Sequence, residues 1–326
     1  MMKTINRRDF LKQAGLGMVG AGTILTLPGR LSGALRTPPA STAEGKHFSF
    51  IHFTDTHVQT ELNGHLGMRK AVEKMNQIGA AFAIHGGDIV FDVFETDRRR
   101  ADFLYKLYRD ELAHLKTQTY HVIGNHDVFG ISPKSGVRKS DPEYGKRMFM
   151  DYLGEGRTYR SFDYGRWHFI LLDSIDITSD RSYRGLIDYE QFEWLKADLQ
   201  ETGKDRPIVI VTHIPLITLF WQIVDARRTP IPPGVAIVNA KKVWELIEPY
   251  NVRAVLQGHL HIREKLEYNG VQYITSGAVC GNWWKGPRMG HPEGFAVIEV
   301  RGDELTWRYE TYGWKAAVTE SDAPGH

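Results

Sequence analysis

The chain of 326 residues has a single cysteine, Cys280, so it cannot form an internal disulfide or a metal cluster built from thiolates. It also lacks a long hydrophobic run. The apolar stretch over residues 14–27 is shorter than the roughly 20 residues that cross a bilayer, and its four glycines lower its hydrophobicity. The sequence shows no internal repeat or low-complexity segment. These absences exclude a disulfide scaffold and a repeat array, and we expect no stable membrane anchor.

Net charge is low as well. The formal charge of the whole chain is +2, but the first 34 residues hold five lysines or arginines and one aspartate. The remainder has 36 bases and 38 acids, a balance near −2. Such a balance does not support binding of nucleic acid or of an anionic membrane, and it disfavours a nuclease, which needs a basic groove.

The N-terminal segment is typical of a targeting signal. Arg7 and Arg8 precede a Phe-Leu-Lys triplet, the weakly apolar run and a group of small residues. This order resembles a twin-arginine signal, which implies export of the folded protein by the twin-arginine machinery to the periplasm or beyond. We expect a signal peptide over residues 1–34 and a linker over 35–46.

Beyond the linker, strand-like apolar runs alternate with amphipathic stretches. This alternation predicts a layered α/β sandwich in a single domain over residues 47–315, followed by a disordered tail over 316–326. The last four strands look like an antiparallel meander. The predicted strands are 48–53, 81–84, 120–123, 159–163, 167–173, 208–211, 254–256, 264–268, 271–275, 295–300 and 305–309, and the predicted helices are 66–78, 102–115, 189–199 and 240–247.

Polar residues of the metal-binding type follow these strands. The carboxyl edge of an α/β sheet is where loops converge on ligands, so we expect these residues to lie together. Asp-x-His and His-x-His spacings each place two ligands on one face of an extended segment. The seven candidate ligands are Asp55, His57, Asp88, Asn125, His213, His259 and His261.

The number and type of these candidates indicate the cofactor. One catalytic metal needs about three protein ligands and a water, so seven candidates predict two metals that share a bridging group. Carboxylate and amide oxygens mixed with imidazole nitrogens suit manganese, iron or zinc. The sequence therefore predicts a two-metal hydrolase.

The short segments that carry these seven candidates, in this order, resemble those of the calcineurin-like metallophosphoesterase superfamily, and the resemblance covers residues 48–312. The resemblance implies an αββα sandwich of two mixed sheets flanked by helices. It also implies in-line attack on a phosphate ester by a hydroxide that bridges two metals. His126 would protonate the leaving oxygen or steady the phosphoryl charge. By the resemblance, Asp55, His57, Asp88 and His261 would hold one metal, and Asp88, Asn125, His213 and His259 the other.

The chain departs from the family pattern after Asp88. Many relatives have an aspartate three residues later that orients the catalytic histidine, whereas this chain has Phe91 followed by Asp92. The orienting partner of the histidine is therefore Asp92 or Asp127. The purple acid phosphatase branch has a tyrosine soon after the bridging aspartate, where this chain has Ile89, so an iron–tyrosinate centre is not expected.

A second group of candidates follows the last ligand block. Trp283, Trp284 and Lys285 combine two aromatic rings with a cation, which could stack on a base or sugar and bind phosphate. The alternative is that the tryptophans pack against the edge of the sandwich. His52 and His85, which precede two ligand blocks inside apolar strands, are expected to be hydrogen-bonded core residues.

We therefore expect a metal-dependent phosphoesterase that acts on a small-molecule phosphate ester. A phosphodiesterase for cyclic nucleotides or similar small diesters ranks first, and a broad-specificity phosphomonoesterase is the alternative. A third hypothesis is a catalytically silent metal-binding scaffold. Such a scaffold should have lost ligands or His126, yet this chain keeps them all.

Overall fold

A computed structural model describes residues 47–153, 156–224 and 230–319. The predicted signal peptide over 1–34, the predicted linker over 35–46 and residues 320–326 of the predicted tail lie outside the described residues. The described residues belong to one compact unit. Within them, no helix combines the length and apolar character that a bilayer-spanning segment requires.

The strands form two mixed sheets and a small ribbon. The first sheet has the order β13-β12-β1-β2-β3 and the second has the order β10-β11-β9-β8-β5-β4, while β6 and β7 pair with each other. The strands are β1 His47–Phe53, β2 Phe82–His85, β3 Thr119–His121, β4 Arg160–Tyr164, β5 Trp167–Leu171, β6 Ile175–Ile177, β7 Tyr183–Gly185, β8 Ile208–Val211, β9 Val252–Gln257, β10 Arg263–Tyr268, β11 Val271–Ser276, β12 Gly294–Arg301 and β13 Glu304–Thr311.

Each sheet contains a run of adjacent parallel strands. In the first sheet β1, β2 and β3 run parallel and β12 is antiparallel to β1 and β13. In the second sheet β5, β8, β9 and β11 run parallel, with β4 and β10 antiparallel at the edges. The carboxyl ends of β1, β2 and β3 therefore meet at one edge of the first sheet, and those of β5, β8 and β9 meet at one edge of the second.

Apolar side chains from alternate strand positions fill the layer between the sheets. On β1, Phe50 faces this layer, whereas Ile51 belongs to the core on the helix side. Phe50 stacks on Phe82 with ring centroids 5.0 Å apart, and Phe169 of the second sheet lies 5.1 Å from Phe82 at a near right angle. Edge-to-face and stacked aromatic pairs of this kind hold the two sheets together.

Helices complete the outer layers. Helix α1 packs against α2, and α4 packs against α6. Side chains from these helices join the helix-side core, so the layers are α, β, β and α, as the sequence predicted. The helices are α1 Gly64–Ile78, α2 Arg98–Leu112, α3 Arg147–Leu153, α4 Tyr189–Thr202, α5 Phe220–Val224 and α6 Ala240–Ile247.

All of the predicted strands and helices are present, with shifts of a few residues at their ends, and the structure adds β6, β7, α3 and α5, which the sequence pattern did not predict. Helix α2 begins at Arg98 instead of residue 102, because the Asp97 carboxylate caps it by accepting the Arg100 N–H at 2.9 Å. The predicted C-terminal meander is wrong: β10 and β11 join the second sheet, whereas β12 and β13 join the first. The segment 277–293 therefore connects one sheet to the other, and it carries the Trp-Trp-Lys block.

Candidate active site

The seven predicted ligands all lie where parallel strands end. Asp55 follows β1, Asp88 follows β2, Asn125 follows β3, His213 follows β8 and His259 follows β9. All of the seven are buried except His259, which is partly exposed. Burial of this many polar groups is costly unless each one has a partner.

Left-handed backbone is concentrated in these ligand segments. A non-glycine residue in this region carries strain of about 1–3 kcal/mol, which the surrounding structure must impose. Strain of this kind clusters at functional sites. The ligands with positive φ are Asp55 (55°), His57 (39°), Asp88 (53°), His259 (71°) and His261 (56°).

Gly124 shows why the motif before Asn125 needs a glycine. A Cβ atom at position 124 would lie 2.2 Å from the backbone nitrogen and from Oδ1 of Asp88. Any larger residue would push the loop after β3 away from the loop after β2. The glycine therefore allows Asn125 and His126 to approach Asp88.

Two groups of donor atoms share the carboxylate of Asp88. Its Oδ2 lies 3.5 Å from His57 Nε2 and 3.1 Å from His213 Nε2. Its Oδ1 accepts a hydrogen bond from the backbone N–H of His126 at 2.8 Å. Oδ1 is thus held by the backbone, while Oδ2 faces two groups of donor atoms, one around His57 and one around His213.

The first group surrounds His57. His261 Nε2 lies 3.2 Å from His57 Nε2 and 3.3 Å from Asp55 Oδ1. His57 Nδ1–H donates to the Phe91 carbonyl at 3.2 Å, and His261 Nδ1–H donates to the Gly281 carbonyl at 2.6 Å. With both Nδ1 protons committed, the two Nε2 lone pairs face each other, an arrangement that only a proton or a cation between them stabilises.

The second group surrounds His213. His213 Nδ1–H donates to the Gly86 carbonyl at 2.9 Å, and His213 Nε2 lies 3.2 Å from Asn125 Oδ1. One donor atom from each of Asp88, His213 and His259 lies within 4.8 Å of the others. Nδ1 of His259 is buried and has no hydrogen-bond partner among the described residues. An unpartnered imidazole nitrogen inside such a group fits a metal ligand.

The electrostatics of the site favour bound cations. Burial acts to raise the pKa of Asp88, but the charges of His213 and His126 outweigh it and hold the pKa well below its ordinary value. Burial acts to lower the pKa of His213, and the Asp88 carboxylate outweighs it, raising that pKa to about 9. Asp88 thus stays ionised and attracts positive charge. Together with the converging lone pairs, this donor set fits two metal ions that share Asp88.

His126 lies at the open rim of the two groups. Its side chain is 25% exposed, and its ring centroid is 4.9 Å from that of His57. Burial acts to lower the pKa of His126, but the carboxylates of Asp88 and Asp92 outweigh it, so its pKa lies above the ordinary value. A histidine that holds a proton at the rim can donate it to a leaving group.

The two proposed orienting carboxylates occupy different places. Asp92 Oδ1 lies 3.7 Å from His126 Nδ1, longer than a hydrogen bond but within ion-pair range. Asp127 is fully buried: its Oδ1 accepts the Ile89 N–H at 2.8 Å and its Oδ2 accepts the Gly124 N–H at 2.9 Å. Asp92 is therefore the carboxylate beside the His126 side chain, whereas Asp127 ties together the loops after β2 and β3.

The structure corrects the substrate-contact prediction for Trp284. This side chain is fully buried, and its Nε1–H donates to the His57 carbonyl at 3.0 Å. Its ring fills the space over α1, where a Cβ atom on Gly67 would lie 2.1 Å from it. Trp284 cannot touch a substrate and instead supports the loop that carries His57, in line with the packing alternative.

Trp283, in contrast, reaches the site. Its partly exposed ring lies 4.0 Å from that of His57, 5.0 Å from His261 and 5.1 Å from His126, measured between centroids. Lys285 is partly exposed two residues further along the same segment. Substrate contact by Trp283 and Lys285 stays a prediction.

His52 and His85 are core residues, as expected. His85 Nε2 lies 2.9 Å from Thr56 Oγ1, and its Nδ1 accepts the Gly87 N–H at 3.1 Å. His52 Nδ1 lies 2.6 Å from Ser276 Oγ, which links the first sheet to the second. Both rings thus brace the backbone behind the ligands.

Tyr183 on β7 also lies at the site, although no sequence pattern predicts it. Its ring meets His259 edge-on, with centroids 6.3 Å apart, and meets Phe94 in the same way at 5.9 Å. Nothing in the local pattern marks it, because a tyrosine in a short strand is ordinary. The available signal was that its ribbon follows β5, whose carboxyl end faces the same edge as the ligands.

Several known proteins are similar to this chain in sequence. Residues 48–263 match the calcineurin-like phosphoesterase family. A 3',5'-cyclic-nucleotide phosphodiesterase of Nostoc sp. is 25% identical over 178 residues, which cover 54% of this chain and 56% of that protein. Acid phosphatase type 7 of Danio rerio is 28% identical over 212 residues, covering 60% and 44%. The chain thus spans about half the length of these two relatives.

Solved structures share the fold. A dimetal phosphatase from Danio rerio superposes with a TM-score of 0.60 at 16% identity, over 81% of this chain and 96% of that chain. A purple acid phosphatase from yellow lupin superposes with a TM-score of 0.51 at 14% identity, over 82% and 52%. Because the family match covers most of the chain and includes every candidate ligand, the chain belongs to the calcineurin-like phosphoesterase family.

Proposed function

We propose that the protein is a two-metal phosphoesterase whose first substrate class is cyclic nucleotides and similar small phosphodiesters. The observation that carries the proposal is the Oδ2 atom of Asp88, which faces two donor groups while His126 stands at their open rim. A broad-specificity phosphomonoesterase is the alternative. In this proposal Asp55, His57, Asp88 and His261 hold one ion, and Asp88, Asn125, His213 and His259 hold the other.

The backbone prepares the ligands for this role. Carbonyl groups accept the Nδ1 protons of His57, His213 and His261, which fixes each ring so that Nε2 turns inward. When bound, the two ions, manganese, iron or zinc, polarise the phosphoryl oxygens and lower the pKa of water. The protein thus supplies a rigid, largely buried ligand set that needs little rearrangement.

His126 completes the chemistry on the rim. It is the partly exposed histidine beside the donor groups, and the nearby carboxylates of Asp88 and Asp92 favour its protonated form. In the proposed reaction it passes this proton to the leaving oxygen, which otherwise departs as an unstable alkoxide. Asp92 positions the ring from the Nδ1 side.

The aromatic side chains at the rim, Trp283 and Phe91, support the proposal that the substrate is a diester carrying a ring. Trp283 lies against His126, and its ring meets Phe91 edge-on with centroids 5.9 Å apart. A planar base or aryl group can stack on such a surface. The named activity of the Nostoc relative, a 3',5'-cyclic-nucleotide phosphodiesterase, points to the same substrate class. Lys285, on the same segment, is a proposed phosphate contact.

The site of action is proposed to be the periplasm or the exterior of the cell. The twin arginines at Arg7 and Arg8 support export of the folded protein. Folding before export also lets the chain select its metals before it is translocated. We expect the full chain in the periplasmic fraction and an Arg7→Lys, Arg8→Lys double variant in the cytoplasm. Equal distribution of the two proteins would refute twin-arginine export.

The catalytic proposal is tested by reconstitution. The purified chain is loaded with manganese, zinc or iron, its metal content is measured, and it is assayed on bis-p-nitrophenyl phosphate and on p-nitrophenyl phosphate. We expect two ions per chain and a preference for the diester. Asp88→Asn should lose bound metal and nearly all activity, whereas Asp110→Asn, an exposed control on α2, should lose neither.

The other possible results of this reconstitution distinguish the alternative functions. A preference for the monoester would reverse the substrate class and select the phosphomonoesterase. A wild-type protein that binds two ions but hydrolyses neither ester would support the catalytically silent scaffold. A wild-type protein that stays free of metal and inactive in all three metals would refute the two-metal enzyme.

A further inference from the structure

Thr54 lies between the end of β1 and Asp55, and its side chain is only 1% exposed. Its hydroxyl donates to Oδ2 of Asp55 at 2.7 Å, and a second acceptor, the Gly87 carbonyl, lies 3.3 Å away. A hydroxyl has one proton to donate, and the shorter bond to a carboxylate oxygen is the stronger of the two. The proton of Thr54 is therefore directed at the Asp55 carboxylate.

The loop after β9 in the second sheet packs directly against this pair. The backbone N–H of His259 lies 3.0 Å from Oδ2 of Asp55 and 3.2 Å from its Oδ1. A Cβ atom on Gly258 would lie 2.3 Å from the Thr54 hydroxyl oxygen and 2.9 Å from Oδ2 of Asp55. Only a glycine allows this approach, and it leaves Oδ2 enclosed by the Thr54 hydroxyl and the backbone of the second sheet's loop.

The other oxygen of Asp55 faces the first donor group. Its Oδ1 lies 3.3 Å from His261 Nε2 and 3.9 Å from His57 Nε2. The His259 N–H is shared between the two oxygens of Asp55, whereas the Thr54 hydroxyl bonds to Oδ2. The terminal torsion of an aspartate is broad, so a carboxylate can turn in its plane unless a donor holds one oxygen. The hydroxyl of Thr54 is the contact that distinguishes the two oxygens.

We infer that Thr54 is a positioning residue for the metal centre: its hydroxyl holds Oδ2 of Asp55 so that Oδ1 is presented to the ion of the first donor group. This inference rests on the proposed function and adds a residue that is not itself a ligand. Hydrogen bonds from neighbouring residues to a ligating side chain fix its orientation, and their loss commonly costs about 10-fold to 100-fold in metal affinity.

The test is Thr54→Val, which removes the hydroxyl and keeps the shape of the side chain. Metal affinity of the purified full chain is measured with manganese and with zinc by competition against a chelator. We expect the dissociation constant of one of the two ions to rise by about 10-fold to 100-fold. Thr54→Ser, which keeps a hydroxyl at the same place, should bind both ions close to wild type.

The matched control is Thr212→Val. Thr212 is also 1% exposed and also directly precedes a candidate ligand, but its hydroxyl lies 3.3 Å from the Ile214 carbonyl and not beside a ligand carboxylate. Both dissociation constants should stay at wild-type values in this control. The rise in melting temperature on metal addition is compared within each protein, so that a loss of stability in the metal-free form is subtracted. That rise should shrink in Thr54→Val and not in Thr54→Ser.

Unchanged metal affinity in Thr54→Val would overturn the inference and leave the proposed function intact. Weakened binding that Thr54→Ser shares would also overturn it, because the shape of the side chain and not the hydroxyl would then matter. Hydrolysis of bis-p-nitrophenyl phosphate by Thr54→Val should fall at limiting metal and recover in excess metal. If wild type binds two ions but hydrolyses no ester, the proposed function fails, and the affinities still test Thr54. A wild type that binds no metal would refute both.

Discussion

The layer between the two sheets and the edge where their parallel strands end are both buried, but they are built from opposite kinds of residue. Between the sheets, Phe50, Phe82 and Phe169 pack ring against ring with ordinary extended backbone. At the strand ends, aspartate and histidine side chains are buried on left-handed backbone. The packed rings between the sheets stabilise the fold. The strained and polar strand ends are tolerated because of that stability.

The magnitudes support this division. Burial of a phenylalanine side chain stabilises a fold by about 1.5–3 kcal/mol. A left-handed non-glycine residue costs about 1–3 kcal/mol, and a buried polar group without a partner adds to that cost. Each strained ligand is therefore comparable in size to one buried ring. A change between the sheets should alter stability, whereas a change at the rim of the strand ends should alter activity.

Among variants that should keep their metal, His126→Ala has the largest expected effect on activity. Removal of a general acid lowers kcat by about 10² to 10⁴-fold. Metal content and the free energy of unfolding should stay near wild-type values, because the ring is partly exposed and lies at the rim. The measurement is kcat on a 3',5'-cyclic nucleotide, whose alkoxide leaving group needs the proton, alongside metal analysis and denaturant unfolding. His114→Ala, at an exposed position after α2, is the control. Loss of metal would show that His126 is a ligand and not an acid.

Phe50→Ala tests the other region. The side chain is fully buried and contacts both Phe82 and Phe169, so its removal leaves a cavity. We expect the free energy of unfolding to fall by about 3–5 kcal/mol, measured by denaturant titration at fixed metal concentration. The folded fraction should keep its kcat. Phe103→Ala, where the side chain is 42% exposed, should change stability by less than about 0.5 kcal/mol. A large fall in kcat for folded Phe50→Ala would mean that the two regions are coupled.

The sequence predicts the strand-end region well because metal chemistry restricts the residue types. A single aspartate, asparagine or histidine after an apolar strand is ordinary, because aspartate and asparagine are common in turns, but a series of them after successive strands is not. Asp55, Asp88 and His213 therefore stand out as a set. The layer between the sheets follows from strand alternation in the same way, as at Phe50. In both regions a physical requirement, metal binding at the strand ends or burial between the sheets, restricts the residue types at nearby positions. The restriction is visible as a pattern in the sequence.

Residues that depend on long-range packing leave no such pattern. Trp283 and Trp284 are adjacent and chemically identical, yet one lines the site and the other is buried over α1. Tyr183 meets His259 from β7, a short strand that no local pattern marks. The exchange of sheets after β11 follows from strand pairing, which separate hairpin signals do not determine.

Asp92→Asn tests whether the negative charge beside His126 contributes to catalysis. The asparagine oxygen can still accept the N–H groups of Phe94 and Glu95, which Asp92 Oδ1 accepts at 2.8 and 3.2 Å, so the turn should be kept. Only the charge beside His126 is lost. We expect kcat to fall by about 10-fold, or 1.4 kcal/mol in activation free energy, with KM and metal content unchanged. Asparagine with wild-type kcat would show that His126 needs no carboxylate to position it.

The smallest effect concerns a buried charge away from the strand ends. His168 on β5 donates from Nδ1 to Asp163 at 2.7 Å and from Nε2 to Asp198 at 2.8 Å, so both ring nitrogens carry protons. Burial acts to lower the pKa of His168, but the two carboxylates outweigh it and raise the pKa. A raised pKa in the folded state means that the stabilisation is complete below the unfolded value of about 6.5 and is lost as pH rises through the folded value.

His168→Gln should therefore cost stability at low pH and little at high pH. We expect the difference in unfolding free energy from wild type to be about 1 kcal/mol at about pH 6, since solvent screens the exposed Asp163, and to shrink as the pH rises through the folded pKa of His168. The kcat of the folded protein should not change, because no metal ligand touches this histidine. A difference that is independent of pH would mean that His168 stabilises by packing alone. A change in kcat would mean that charge buried outside the strand ends also serves catalysis.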